Sequence, residues 1–308
     1  MEARMAKGMT KSLVVVSRSH QSIRVVDVAT ATVRTLVSGL EEAPDGVVVD
    51  QTNEHIYWTN MGRPDAVIDG DDSTGYFQRD GSIERVNFDG RERTTVVQRG
   101  AFTTGKQLTA DFSAGHLYWC DREGMKVLRA NLDGSDLAVL YAAGQTDEDA
   151  QDPRNHCVGV AVDPAGQRLF WTQKGPPKGN QGRIFTAGLE LPPETNPAKR
   201  SDVRVLWSGL PEPIDLELDN HERLVWTDRG AEPSGNTLNR MSSEGFGSAP
   251  QILSRGYREA IGVAVDGERY YVSDLSGSIR VVDLSAGIDK ELIKLEGTVN
   301  GIAIVEMS

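Results

Sequence analysis

From Leu13 onward the chain is a succession of short apolar-rich runs of five or six residues, punctuated by Gly, Asp and Asn. That pattern belongs to strands, and no stretch carries the three-to-four spacing of an amphipathic helix. One run recurs. Ile56-Tyr57-Trp58-Thr59-Asn60 returns as Leu117-Tyr118-Trp119-Cys120-Asp121, Leu169-Phe170-Trp171-Thr172-Gln173, Leu224-Val225-Trp226-Thr227-Asp228 and Tyr270-Tyr271-Val272-Ser273-Asp274. A weaker copy, Val14-Val15-Val16-Ser17-Arg18, is authenticated by its next strand. Ser22-Ile23-Arg24-Val25-Val26-Asp27 and Ser278-Ile279-Arg280-Val281-Val282-Asp283 are identical.

Six copies define six repeats. Before each signature except the first lies a second run: Gly46 to Asp50, Gln107 to Asp111, Gly159 to Asp163, Asp215 to Asp219 and Gly262 to Asp266. The sixth such run, Gly301 to Val305, stands near the end of the sequence. Third and fourth runs come after each signature, as in Ile83 to Asn87 and Thr94 to Val97. Four antiparallel strands per repeat predict an all-β, six-bladed β-propeller. The first blade draws three strands from the N-terminus, and its innermost strand comes from the C-terminus. The ring is therefore expected to close by pairing the two chain regions, which removes a sheet edge. Residues 1–12 read as a disordered leader and residues 13–308 as a single propeller domain.

Composition narrows the function. Of 308 residues 38% are hydrophobic, enough for one large all-β core. Lys and Arg total 33 against 45 Asp and Glu, a net charge of −12. Such a surface repels phosphate backbones and anionic membranes, so neither nucleic acid nor membrane is an expected partner. The apolar run Leu13 to Val16 is too short for a signal-peptide core, and no stretch could span a bilayer. Only Cys120 and Cys157 are present, which gives no disulfide framework and reads as two buried small hydrophobes. Together these features predict a cytoplasmic protein, a monomer or weak homo-oligomer.

The repeated tyrosines, tryptophans and aspartates resemble the YWTD repeats of the low-density-lipoprotein-receptor class B propellers over nearly the whole chain. Receptor propellers are extracellular and sit beside Cys-rich modules that this sequence lacks. In size, architecture and loop style the chain is more similar to stand-alone fungal propellers of secondary metabolism. Some of those are hetero-Diels–Alderases that join a tropolone o-quinone methide to a humulene-type sesquiterpene alkene. The resemblance implies a cofactor-free pericyclase-like enzyme acting on hydrophobic small-molecule substrates.

Residues used in every blade support the blade. Trp58, Trp119, Trp171 and Trp226 are expected to pack between neighbouring sheets, and Asp50, Asp111, Asp163, Asp219 and Asp266 to accept turn amides. Chemistry is sought where the repeats disagree. Four innermost strands begin on Gly46, Gly159, Gly262 and Gly301, but the other two carry Gln107 and Asp215. Glu217 stands where other blades have Val, Thr or Ala. Residues two apart share a strand face, so Asp215 and Glu217 face the axis together, as a paired or hydrated carboxylate or as a proton donor. Three connections on one rim are long: Asn60–Asp80 with Met61, Tyr76 and Phe77, Gln173–Gln181, and Asp228–Asn236 with Arg229. Their counterparts Asp121–Gly124 and Asp274–Gly277 are minimal. Long loops gathered on a rigid scaffold commonly build a site.

The expected pocket needs no metal and no cofactor. Residues five before the repeated Asp include only two oxygen ligands, Asp45 and Asn300, beside the cation Lys106, whereas calcium needs six or more oxygens. Asp69 to Asp72 could bind calcium weakly, but reads first as a solvated acidic loop. No Gly-x-Ser-x-Gly elbow and no Gly-rich phosphate loop occurs, and adjacent His156 and Cys157 do not make a dyad. Lys106, His156, Arg229 and His20 are candidate donors to a carbonyl oxygen of an electron-poor heterodiene, with Asp215 as a candidate acid. Met61, Tyr76, Phe77, Gln107, Gln173, Glu217, Arg258 and Asn300 complete the expected lining. The rival readings are a protein-docking rim and a metal-dependent lactonase.

Overall fold

The computed structural model describes residues 9–65, 75–245 and 249–307. Its strands form six four-stranded antiparallel sheets. The innermost strands are β4 (Pro44–Asp50), β8 (Gly105–Asp111), β12 (Cys157–Asp163), β16 (Pro213–Leu218), β20 (Ala260–Asp266) and β24 (Gly301–Met307). Next outward come the signature strands: β1 (Thr10–Ser17), β5 (His55–Asn60), β9 (His116–Asp121), β13 (Arg168–Gln173), β17 (Arg223–Asp228) and β21 (Arg269–Asp274). The expected closure is present. Strand β24 pairs antiparallel with β1, Val14 opposite Ala303, and completes the first blade. Because β1 begins at Thr10, residues 10–12 belong to the propeller and not to the leader assigned to 1–12.

Each blade is glued to its neighbour by the signature. Trp58 packs on Val14, Val16 and Ile23 of the first blade, and Trp226 on Phe170 and Ile184 of the fourth. Trp58, Trp119, Trp171 and Trp226 are wholly buried. Burying an aromatic of this size is worth roughly 3 kcal/mol, and four of the six signatures carry one, with buried Val16 and Val272 in its place in the other two. The signature Thr adds a polar clamp. Thr59 Oγ1 accepts from Gly46 N–H at 2.9 Å and donates to the Lys106 carbonyl of the next blade at 2.7 Å. Thr172 and Thr227 repeat the arrangement toward Ile214 and Ile261. Cys120 makes a weaker version, its thiol donating to the Gly159 carbonyl of the next blade at 3.4 Å. Burial holds both thiols up, that of Cys157 to about 12, as befits core residues.

The innermost glycines are steric requirements. A Cβ on Gly159 would stand 2.2 Å from the Ile214 carbonyl oxygen, and one on Gly301 2.2 Å from that of Asp45. Asp50, Asp111, Asp163 and Asp219 each accept turn amides as expected, for example from Thr52 and Asn53 at 3.1 and 3.0 Å. Asp266 instead pairs with Lys11 at 2.5 Å. Besides strands, the described residues include the four-residue helix α1 (Asp147–Ala150), capped by Thr146, and two short 3-10 turns. No helix is long and apolar enough to cross a membrane.

Candidate functional site

In five of the six blades the residue after the signature stands at the rim, its N–H tied to the loop entering the same blade. Met61, Arg122, Lys174, Arg229 and Leu275 all donate in this way, for example Arg122 N to the Thr104 carbonyl at 3.0 Å. Below them stands the ring of residues that opens the innermost strands: Asp45, Lys106, Val158, Ile214, Ile261 and Asn300. One half of the mouth is apolar, where Val158, Ile214 and Ile261 pack together with Leu275 beside them. The other half is ionic.

Lys106 Nζ lies 2.7 Å from Asp45 Oδ1 and 3.3 Å from Met61 Sδ. Arg122 pairs with Glu123 at 2.5 Å, and Arg229 with Glu212 at 2.6 Å. Lys174 Nζ reaches the Gly175 carbonyl at 3.2 Å, while Glu212 is 3.8 Å away. Burial pushes both Lys106 and Lys174 down to about 8. Cationic neighbours add to the shift: Arg122 acts on Lys106, and Arg229 and Arg122 act on Lys174. Lys106 and Lys174 are both buried, and perturbed titratable groups at a mouth mark a functional site.

The sequence candidates scatter around this centre. Lys106, Met61 and Arg229 are in it. Tyr76 packs on Met61 and Ala43, and its carbonyl accepts from Thr104 at 2.6 Å. Asn300 Oδ1 accepts from Arg18 N–H at 3.2 Å. His156 is buried beside Glu123 and Lys174, but its Nε2 sits 2.8 Å from the Ala150 carbonyl. That bond assigns the proton to Nε2 and leaves buried Nδ1 as a free acceptor, so His156 can take a hydrogen bond from a ligand but not give one. Burial also keeps its ring neutral at pH 7 by lowering its pKa.

Asp215 is engaged in the scaffold. Its Oδ1 accepts from Leu216 N–H and its Oδ2 from Val263 N–H of the next blade, both at 2.9 Å, so both oxygens are tied to the scaffold. Burial nonetheless pushes it up to about 7, and burial together with Asp215 holds Glu217 well above the usual carboxylate range. Glu217 is half-buried. Gln107 is buried with an unpartnered Nε2, and Gln173 accepts from Arg183 at 2.6 Å, away from the mouth. His20 is exposed against Gly297, and Arg258 is exposed on a polar groove with Arg280, Glu291 and Lys294. Phe77, 40% exposed, lines a separate cleft of about 420 Å³ with Glu123, Met125 and α1. The Asp69 to Asp72 segment lies outside the described residues.

Sequence reasoning missed Arg122, Glu123, Lys174 and Glu212 as members of the site. Long loops drew attention, yet Arg122 and Glu123 sit in the minimal turn after β9. The signal was the single column after each signature, which reads Ser19, Met61, Arg122, Lys174, Arg229 and Leu275. Among the described residues no three His, Cys, Asp or Glu side chains gather as a metal ion would need.

Fold and mouth together define a YWTD-type six-bladed propeller with a charged-and-apolar axial site. No family model matches the chain. It is 42% identical over 287 residues to "Low-density lipoprotein receptor-related protein 1" of the fungus Pyricularia oryzae, covering 88% of each chain. The chain belongs to that low-density-lipoprotein-receptor-related propeller family. It is also 39% identical over 251 residues to "3-hydroxyacyl-CoA dehydrogenase-like protein LAM1" of Cochliobolus heterostrophus, where the match spans 77% of this chain and 50% of that protein. Among solved structures it is similar in fold to a chain of a nidogen/laminin complex, with a TM-score of 0.72, 19% identity and coverage of 96% and 98%. TolB of Acinetobacter baumannii is similar at TM-score 0.65 and 10% identity, over 97% of this chain and 66% of that one.

Proposed function

We propose that the axial mouth is a small-molecule site and that the chain acts there as a cofactor-free, pericyclase-like enzyme of secondary metabolism. Its substrates would be an electron-poor heterodiene of the tropolone o-quinone methide type and a humulene-type alkene. The observation that carries this reading is the division of the mouth into an apolar half and a half of buried, oriented cations. Val158, Ile214, Ile261 and Leu275 offer a wall against which an alkene is held in a reactive pose. Lys106, fixed by Asp45, and Arg122 offer hydrogen bonds to the carbonyl oxygen of the heterodiene, where negative charge develops as its acceptor orbital is lowered. Loss of one water from a hydroxymethyl-tropolone first gives the o-quinone methide in solution. The cycloaddition itself then forms one C–C and one C–O bond and releases no atom, so it needs no base or redox partner.

The same geometry weighs against a docking rim. Among the described residues Phe77 is the one large hydrophobic side chain exposed near this mouth; Tyr76 and Met61 are folded inward. The test is to incubate the protein with a hydroxymethyl-tropolone and humulenol. Faster adduct formation with one dominant stereoisomer is expected. Rate and product ratio equal to those in buffer would sink the cycloaddition reading.

A further inference from the structure

Lys106, Arg122, Lys174 and Arg229 stand beside the carboxylates of Asp45, Glu123 and Glu212, and each of these three carboxylates is hydrogen-bonded to a cation other than Lys174. Asp45 is held by Lys106 at 2.7 Å, Glu123 by Arg122 at 2.5 Å and Glu212 by Arg229 at 2.6 Å. Lys174 is left with one backbone carbonyl at 3.2 Å, and Glu212 stands beyond hydrogen-bond reach at 3.8 Å. Its side chain is only 8% exposed. It lies between the third and fifth blades, close enough to Arg122, Glu123, Glu212 and Arg229 to feel the charge of each, with His156 on its own blade. A buried ammonium with no hydrogen-bonded carboxylate is costly, and the carboxylate within 4 Å of it, that of Glu212, is shared with Arg229.

We propose that Lys174 binds the negative oxygen of a small organic anion, whose apolar body rests on Val158, Ile214, Ile261 and Leu275. The ligand completes the fourth ion pair of the mouth. Two further observations fit. Buried acceptors without donors, Glu123 Oε2 and His156 Nδ1, flank the same position and suit a hydroxyl beside the anionic oxygen. The mouth is a cationic spot on a chain of net charge −12, so it is a local property of these side chains and not of the surface as a whole. Lys174 is pushed down to about 8 chiefly by burial and by Arg229, and an anion in contact would raise it again.

The inference rests on the mouth being a small-molecule site, but not on any reaction there. Its test uses the full chain with sodium benzoate and its neutral counterpart benzamide, titrated calorimetrically in low-chloride buffer. At pH 7 benzoate should bind one to one and benzamide at least tenfold more weakly. Lys174→Met should weaken benzoate tenfold or more, whereas Lys174→Arg should retain it. Glu212 keeps Arg229 in the Met variant, so that variant should fold. Raising the pH of the wild type from 7 to 9.5 should weaken benzoate as Lys174 and Lys106 lose their protons, a result independent of any variant. Equal affinity for benzoate and benzamide, or an unchanged Lys174→Met variant, overturns the proposal. Benzoate binding without cycloaddition would defeat only the reaction; cycloaddition without anion selectivity would defeat only this inference.

Discussion

Asp215→Asn should make the protein less stable in acid and more stable in base. Asp215 is 5% exposed and takes backbone N–H groups from Leu216 and from Val263 across the blade boundary. Burial raises its pKa from 3.8 to about 7. The folded chain thus holds this proton more tightly than the unfolded chain does. The advantage is complete below pH 3.8 and is lost as pH rises through about 7. A difference of roughly three units corresponds to about 4 kcal/mol at pH 9, an upper value because nearby Glu217 is only half-buried. Asparagine carries no charge but turns an NH₂ toward one of the two N–H donors, a cost of about 1–3 kcal/mol at any pH. The cost stands alone only below pH 3.8. At pH 5 the unfolded carboxyl is already ionised, about 1.6 kcal/mol of the advantage is gone, and the variant lies within about 1.5 kcal/mol of the wild type. At pH 9 the gain exceeds it, leaving the variant more stable by about 1–3 kcal/mol. Urea unfolding of both proteins at pH 5, 7 and 9, compared at constant m, measures the crossover. A stability difference that does not change between pH 5 and pH 9 would refute the reasoning, since it would mean that Asp215 is ionised in both states throughout.

Three further outcomes rest on the same packing. Gly159→Ala places a methyl 2.2 Å from the Ile214 carbonyl oxygen and should cost about 2–4 kcal/mol, read as a lower urea midpoint; an unchanged midpoint would show that the blades can spread. Lys106→Met strands Asp45, whose Oδ2 already lacks a partner, and should cost about 3–5 kcal/mol, with Asp45→Asn in the same chain recovering part of the loss. Deleting residues 301–308 removes β24 and exposes the edge of β1, so the shortened chain should unfold or self-associate in size-exclusion chromatography; a monomer of equal melting temperature would contradict closure through that strand.

The repeated strands made the propeller legible in advance. Six signatures at matching positions, and the identity of residues 22–27 with residues 278–283, are enough to count blades and to place the closing strand, since a blade cannot bury its faces without neighbours. They also marked Trp58 and its counterparts as structural, because a residue every blade needs is one the blade itself uses. The axial site was only half visible. Lys106, Met61 and Arg229 could be found as departures from the repeat, but Asp215 stood out for the same reason and belongs to the scaffold, because only the approach of β20 supplies the Val263 N–H that occupies it. His156 was expected to donate, and the carbonyl of Ala150, six residues away on a short helix, decides that it accepts.

By itself the sequence determined the fold, the blade count, the closure and the residues that glue one sheet to the next, for these arise from periodicity within a repeat. Only the tertiary structure decided which charges meet. Lys106 with Asp45, Arg122 with Glu123, and Lys174 with no carboxylate in hydrogen-bond range are joined or separated by the curvature of the ring. That curvature brings Lys106 onto Asp45, 61 residues away in sequence, and gathers the ends of the blades around one axis, where no linear spacing records who is whose neighbour.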